Sequence, residues 1–104
     1  MEVWTEQFMI KDLDKLFDEV MDELLGADNY ADCALGSSDA TEKKLFSEMA
    51  KQELSHSHNL REIIANRVAK ISTDADNCKA IHAYLKGKWD EYERKITYKI
   101  SQIK

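Results

Sequence analysis

This chain contains no proline and only three glycines in 104 residues. Those two residue types interrupt regular backbone most strongly, so their scarcity favours a few long helices over many short elements. The length fits a single domain, residues 1–104. One small core of this size is marginally stable, which makes association between copies an expected source of further burial. Hydrophobic residues make up 43% and charged residues 34% of the chain, a balance suited to helices with a narrow apolar seam and a charged exterior.

Helical periodicity divides the chain in three. Leu13, Leu16, Phe17, Val20, Leu24, Ala27, Ala31 and Ala34 recur at three- and four-residue steps, with Trp4 and Phe8 extending the stripe. This predicts a first helix from about Val3 to Leu35. "LGSSDATEK" then breaks the pattern. Gly36 is placed to end the helix in a left-handed conformation. Asp39 is placed to cap the next helix, with Glu42 as the reciprocal member of a capping box. A second helix runs to about Lys70. "ISTDADN" is the second turn, with Thr73 as N-cap and Asp76 in the first helical turn. The third helix begins near Asp74, and its stripe is Ile81, Leu85, Trp89, Tyr92, Ile96, Ile100 and Ile103. Gly87 is its weak interior point. Short turns between long helices make neighbours antiparallel, so the expected fold is an all-α antiparallel bundle.

Charge and hydropathy narrow the function. A net charge of −5 without a basic run argues against nucleic acid or an anionic membrane as partner. The apolar runs are too short to span a bilayer. The first residues, "MEVWTEQFMIKDLDK", lack the apolar stretch of an export signal, so a cytoplasmic location is expected. Cys33 and Cys78 form no CxxC pair and read as reduced packing thiols.

One stretch stands apart. "KQELSHSHNL", residues 51–60, holds Glu53-x-x-His56 within the series Phe46, Met49, Glu53, His56, Leu60, Ile63. Every apolar member of that series predicts a core position, so Glu53 and His56 are expected to face inward, and Leu54, Ile64 and Val68 form a flanking row that widens the buried face. His58 falls off the seam and is expected to be exposed. Glu23 repeats the anomaly in the first helix, between Val20 and Ala27, with Tyr30 farther on. A turn centred near residue 37 sets residue 23 opposite about residue 51, within one turn of Glu53 and His56. Carboxylates gathered in an apolar interior are costly unless paired, protonated or bound to a cation. Carboxylate oxygen and neutral imidazole suit iron, manganese and zinc, and residues three apart on a helix share a face. Glu23, Glu53 and His56 are therefore candidate metal ligands. The bland reading makes them hydrogen-bonded or protonated core residues. Glu93, beside the third stripe, is either an additional ligand, an acceptor for one, or a solvated acid.

At these residues the chain resembles the ferritin-like superfamily. Its di-iron bundles use a Glu on one helix and Glu-x-x-His on another, each set present twice. "DELLGADNYADCAL" (residues 22–35) is similar to the first ligand helix, with Glu23 at the ligand position and Tyr30 seven residues on. "MAKQELSHSHNL" (residues 49–60) is similar to the second. The separation of 30 residues between Glu23 and Glu53 resembles rubrerythrin-type and encapsulated-ferritin sequences. The size and "YLKGKWDEYERKI" resemble small ferritin-like proteins of phages and prophages. The resemblance implies an iron site, oxidation of Fe(II) by dioxygen, and Tyr30 as electron donor or hydrogen-bond partner. The third helix has no Glu-x-x-His, and no fourth helix is expected, so the chain carries half a site. Encapsulated ferritins complete theirs across a two-fold interface, which implies a homodimer or larger ring here. The alternative is a non-catalytic interaction protein of phage or prophage origin with a vestigial site.

Overall fold

The computed structural model describes residues 2–71 and 77–104, and side chains of the first helix from residue 13 onward. Trp4 and Phe8, as side chains, and the expected cap residues Thr73 and Asp76 lie outside the described residues. Three helices make up the fold, α1 (Glu2–Gly36), α2 (Ala40–Lys70) and α3 (Cys78–Ser101), and no strand occurs among the described residues. None of the helices among the described residues is long and apolar enough to cross a membrane.

The first turn follows its side chains. Asp39 adopts an extended backbone and its Oδ1 accepts from the Glu42 N–H at 2.9 Å. The expected capping box is only half formed, because the Asp39 N–H donates to Ser37 Oγ at 3.3 Å, which takes the place intended for Glu42. Gly36 departs from expectation more clearly. It is the last helical residue of α1, and no glycine among the described residues has positive φ. The Ser37 N–H reaches back to the Ala34 carbonyl at 3.4 Å, so the helix closes by tightening and needs no left-handed residue.

The second turn works differently. Ile71 leaves the helix in an extended conformation, its N–H donating to Val68 O at 3.2 Å, and its side chain is buried. On the far side Asn77 has φ 57°, a left-handed value that asparagine tolerates better than most residues. Cys78 opens α3 among the described residues, and it too is buried; the expected start near Asp74 lies outside them. α3 runs unbroken through Gly87.

The core centres on Trp89, which is fully buried. Phe17 and His82 stand with ring centroids 6.0 and 6.2 Å from it. Phe17 and His82 also stack on each other, 6.4 Å apart. The Arg61 guanidinium lies 5.5 Å from the Trp89 ring centroid, a cation–π contact. Arg61 also pairs with Asp90 at 2.8 Å and Glu93 at 2.7 Å, linking α2 to α3. Lys99 links α3 to α1 through Asp28 at 2.7 Å and Asp32 at 2.8 Å. Burial, with Lys86 and Arg61 nearby, holds the His82 imidazole below its ordinary range, so it packs as a neutral ring.

The buried faces match the expected stripe in α1, and in α3 through Leu85, Trp89, Tyr92, Ile96 and Ile100, but the centre of the α2 face is turned by one residue from the line through Glu53 and His56. In α2 the core residues are Ala50, Ser57, Ile64 and Val68, with Leu54 packed against them. Met49, Glu53, His56 and Ile63 each precede one of these by one position. Met49 and Ile63 are exposed, and Phe46 and Leu60 are half-buried at the edge. In α3, His82 takes the inward place expected of Ile81, which is exposed. The cause is geometric. A step of one residue turns a helix by about 100°, and the buried face of α2 extends to the side carrying Arg61, which meets Asp90 and Glu93 of α3. Ser57 tolerates this placement because its Oγ donates to the Leu54 carbonyl at 2.7 Å.

Replacing Trp89 by alanine removes the largest fully buried side chain. The expected cost is roughly 3–5 kcal/mol, a large part of the stability of a small domain. Urea unfolding followed by circular dichroism checks this; a midpoint within error of wild type would contradict the central role given to Trp89.

Candidate metal centre

The one-residue turn of α2 decides where the polar residues lie. On α1, Glu23 precedes core residue Leu24, whereas Asp28 follows core residue Ala27. They occupy opposite flanks of the buried stripe, and Asp28 marks the flank that meets α3. On α2, Glu53 and His56 precede Leu54 and Ser57, whereas His58 follows Ser57 on the side of α3. Glu23, Glu53 and His56 thus meet on the flank of the α1–α2 pair away from α3.

They are brought together closely. One ligand atom from each lies within 4.8 Å of the others. His56 Nδ1 is 3.6 Å from Glu23 Oε2 and 4.0 Å from Glu53 Oε1. The expectation that the cluster faces the interior is corrected. The Glu23 and Glu53 side chains are 28% and 27% exposed, and His56 is 57% exposed. With three helices, no fourth one covers this flank. The site lies open on this flank and holds one buried atom: Glu23 Oε2 is shielded from solvent, with His56 Nδ1 3.6 Å away, beyond hydrogen-bond distance.

Two carboxyl groups at this distance share a hydrogen bond only if one carries a proton. The bond to Glu23 raises the Glu53 carboxyl above its ordinary value of 4.5, burial and the Glu23 charge add to this, and His56 opposes it. Donor atoms bound to one ion at about 2.1 Å lie roughly 3.0–3.6 Å apart. The observed separations are slightly wider, and the exposed ends of Glu53 and His56 are free to close the difference. Two hard oxygen donors, one of them the buried Glu23 Oε2, and an imidazole fit a divalent transition metal.

The other two candidates lie elsewhere. Tyr30 stacks on Phe46 with ring centroids 6.3 Å apart, two turns or roughly 10 Å along α1 from Glu23. Glu93 sits on the α3 side, with Oε1 2.7 Å from Arg61 Nη1 and Oε2 3.8 Å from His58 Nε2. Glu93 follows Tyr92, and that one-position offset points it at α2's other flank. It is an ion-pair partner of Arg61, not a neighbour of the cluster. His58 is exposed, as its spacing predicts. Ligand spacing does not single out Arg61, although a lone arginine one turn before core residue Ile64 is the signal that marks it.

Comparison of the chain with protein-family models, with curated proteins and with solved structures finds no match.

The raised Glu53 value fixes the sign of a pH effect. A carboxyl with a folded value above its unfolded value contributes stability in acid that is lost as pH rises through the folded value. In metal-free protein, Glu53→Gln keeps this position neutral. Its melting temperature should exceed that of wild type at pH 7 by an amount corresponding to less than about 1 kcal/mol, since solvent screens the site. The gap should close below pH 4.5. Calorimetry in chelator across this range checks the sign, and a less stable variant at pH 7 would refute it.

Proposed function

We propose that this chain is a ferritin-like metal-binding protein. Its three helices form an antiparallel unit, and Glu23, Glu53 and His56 hold an iron ion, with manganese and zinc as the other ions the donor set accepts. The convergence of those three side chains on one open flank, within 4.8 Å, carries the reading. The chain's part is to bring the Glu53 carboxylate and the His56 imidazole to the buried Glu23 Oε2. Iron held there supplies one-electron exchange with dioxygen, the chemistry expected of a ferroxidase-like protein.

The site is half of a two-metal centre in this reading, and a second copy completes it in a homodimer or a larger ring. The exposed residues Met49 and Ile63 support this, because they lie one heptad before and one heptad after His56 on the same line of α2. Apolar side chains bracketing a polar cluster suit a two-fold contact, in which each copy presents the same surface. The proposed setting is the cytoplasm, with Cys33 and Cys78 as reduced thiols outside any disulfide. A second reading, a helical interaction protein with a vestigial site, draws support from exposed Leu25, Ile81 and Tyr84 on other faces.

Anaerobic titration calorimetry with Fe(II) separates the two. Wild type should bind. Glu23→Ala, Glu53→Ala and His56→Ala should each weaken binding by at least tenfold, about 1.4 kcal/mol. The three losses should be far from additive, because the residues act as one site. His58→Ala should bind as wild type does. Absence of any heat with wild type would favour the interaction protein.

A further inference from the structure

Gly26 lies in the middle of α1, one turn after Glu23 and one residue before core residue Ala27. Its Cα faces α2. A methyl group at this position would stand 3.1 Å from Glu53 Oε2, 3.6 Å from the carboxyl carbon and 3.8 Å from Cγ. The Glu53 carboxylate therefore occupies the space that a side chain on residue 26 would fill.

We propose that Gly26 is a positioning residue of the metal site: its missing side chain is the notch that lets the Glu53 carboxylate reach Glu23 and His56. This rests on the metal-binding reading above. The backbone itself does not call for glycine, since no glycine among the described residues has positive φ. Mid-helix glycine is also less favourable than alanine. Gly36 and Gly87 lack any such neighbour, because a methyl group at either meets nothing within 4 Å. Gly26 is thus the one glycine whose bare Cα is in use, and its use is to admit a ligand oxygen.

The carboxylate is held between two limits. Its Oε2 faces the notch, and its Oε1 lies 4.0 Å from His56 Nδ1. An alanine methyl at 3.1 Å lies inside ordinary van der Waals separation, so the carboxylate must retreat. The retreat is easy for the fold, because the end of Glu53 is partly exposed and can swing into water. It is costly for the site, because any displacement of the Glu53 carboxylate changes its place relative to Glu23 and His56, with which it must close on one ion. Gly26→Ala therefore has effects of opposite sign: a more stable helix and a weaker metal site.

The test uses the full chain and Co(II), whose visible absorption reports the number and arrangement of its ligands. Metal-free Gly26→Ala should melt roughly 4 °C or more above wild type, the gain expected from helix propensity in a domain of this size. It should bind Co(II) at least tenfold more weakly, with altered visible bands in the bound form. Gly87→Ala is the control: it gains the same propensity with open space around it, so its Co(II) affinity and spectrum should match wild type. Equal Co(II) affinity and an unchanged spectrum in Gly26→Ala would overturn the role of Gly26 and leave the metal reading standing. A less stable Gly26→Ala would show that the notch serves the fold, which also overturns it. Wild type that binds no Co(II) would end the metal reading, and the role given to Gly26 with it.

Discussion

Trp89 fixes the position of α3, and much else follows from that. Its ring is fully buried against Phe17 and His82, with Arg61 over one side. An aromatic side chain of this size dominates a small core. The ion pairs of Arg61 with Asp90 and Glu93, and of Lys99 with Asp28 and Asp32, line both edges of the same contact. Each such pair adds little by itself, but together they set the azimuth of α3 against both partners. Once α3 occupies one flank of the α1–α2 pair, the opposite flank has no helix to cover it. Glu23, Glu53 and His56 lie on that flank.

An open flank changes what the cluster means. In a closed bundle, two carboxyl groups and an imidazole would need a cation or a proton to be tolerated at all. Here solvent reaches all three side chains, and the Glu53 carboxyl is raised above its ordinary value beside Glu23. The cluster is thus not demanded by stability. On this flank, folding alone leaves two features without an account, the buried Glu23 Oε2 with His56 Nδ1 3.6 Å away and the bare Cα of Gly26 against Glu53. Both have an account if the cluster holds an ion. The exposed Met49 and Ile63 beside it have one if a second copy covers this flank.

Much of this was legible in the sequence because it is local. The scarcity of proline and glycine gave long helices, the α1 stripe from Leu13 to Ala34 is the observed buried face, and Asp39 caps α2 as its side chain predicts. The meeting of Glu23 with Glu53 and His56 followed from turn position alone. The misplaced features depend on tertiary context. The buried face of α2 is centred on the row of Leu54, Ile64 and Val68, which the spacing places beside the line through Met49, Glu53, His56 and Ile63, so Glu53 and His56 lie at the flank and not in the interior. In α3, His82 is buried in place of Ile81. Gly36 stayed helical because Ser37 closed the turn. Glu93 lay beside the third stripe in sequence, but only the position of Arg61 determined its partner.

The central claim is that the cluster binds metal and that a second copy completes the site. Native mass spectrometry of protein loaded anaerobically with Fe(II) tests both halves in one spectrum. The account predicts a dimer, or a ring built of dimers, carrying metal ions in pairs, with Glu53→Ala shifting the population toward metal-free protein. A monomer that binds one ion with undiminished strength would contradict the shared site, and a metal-free spectrum under the same loading would contradict the metal centre itself.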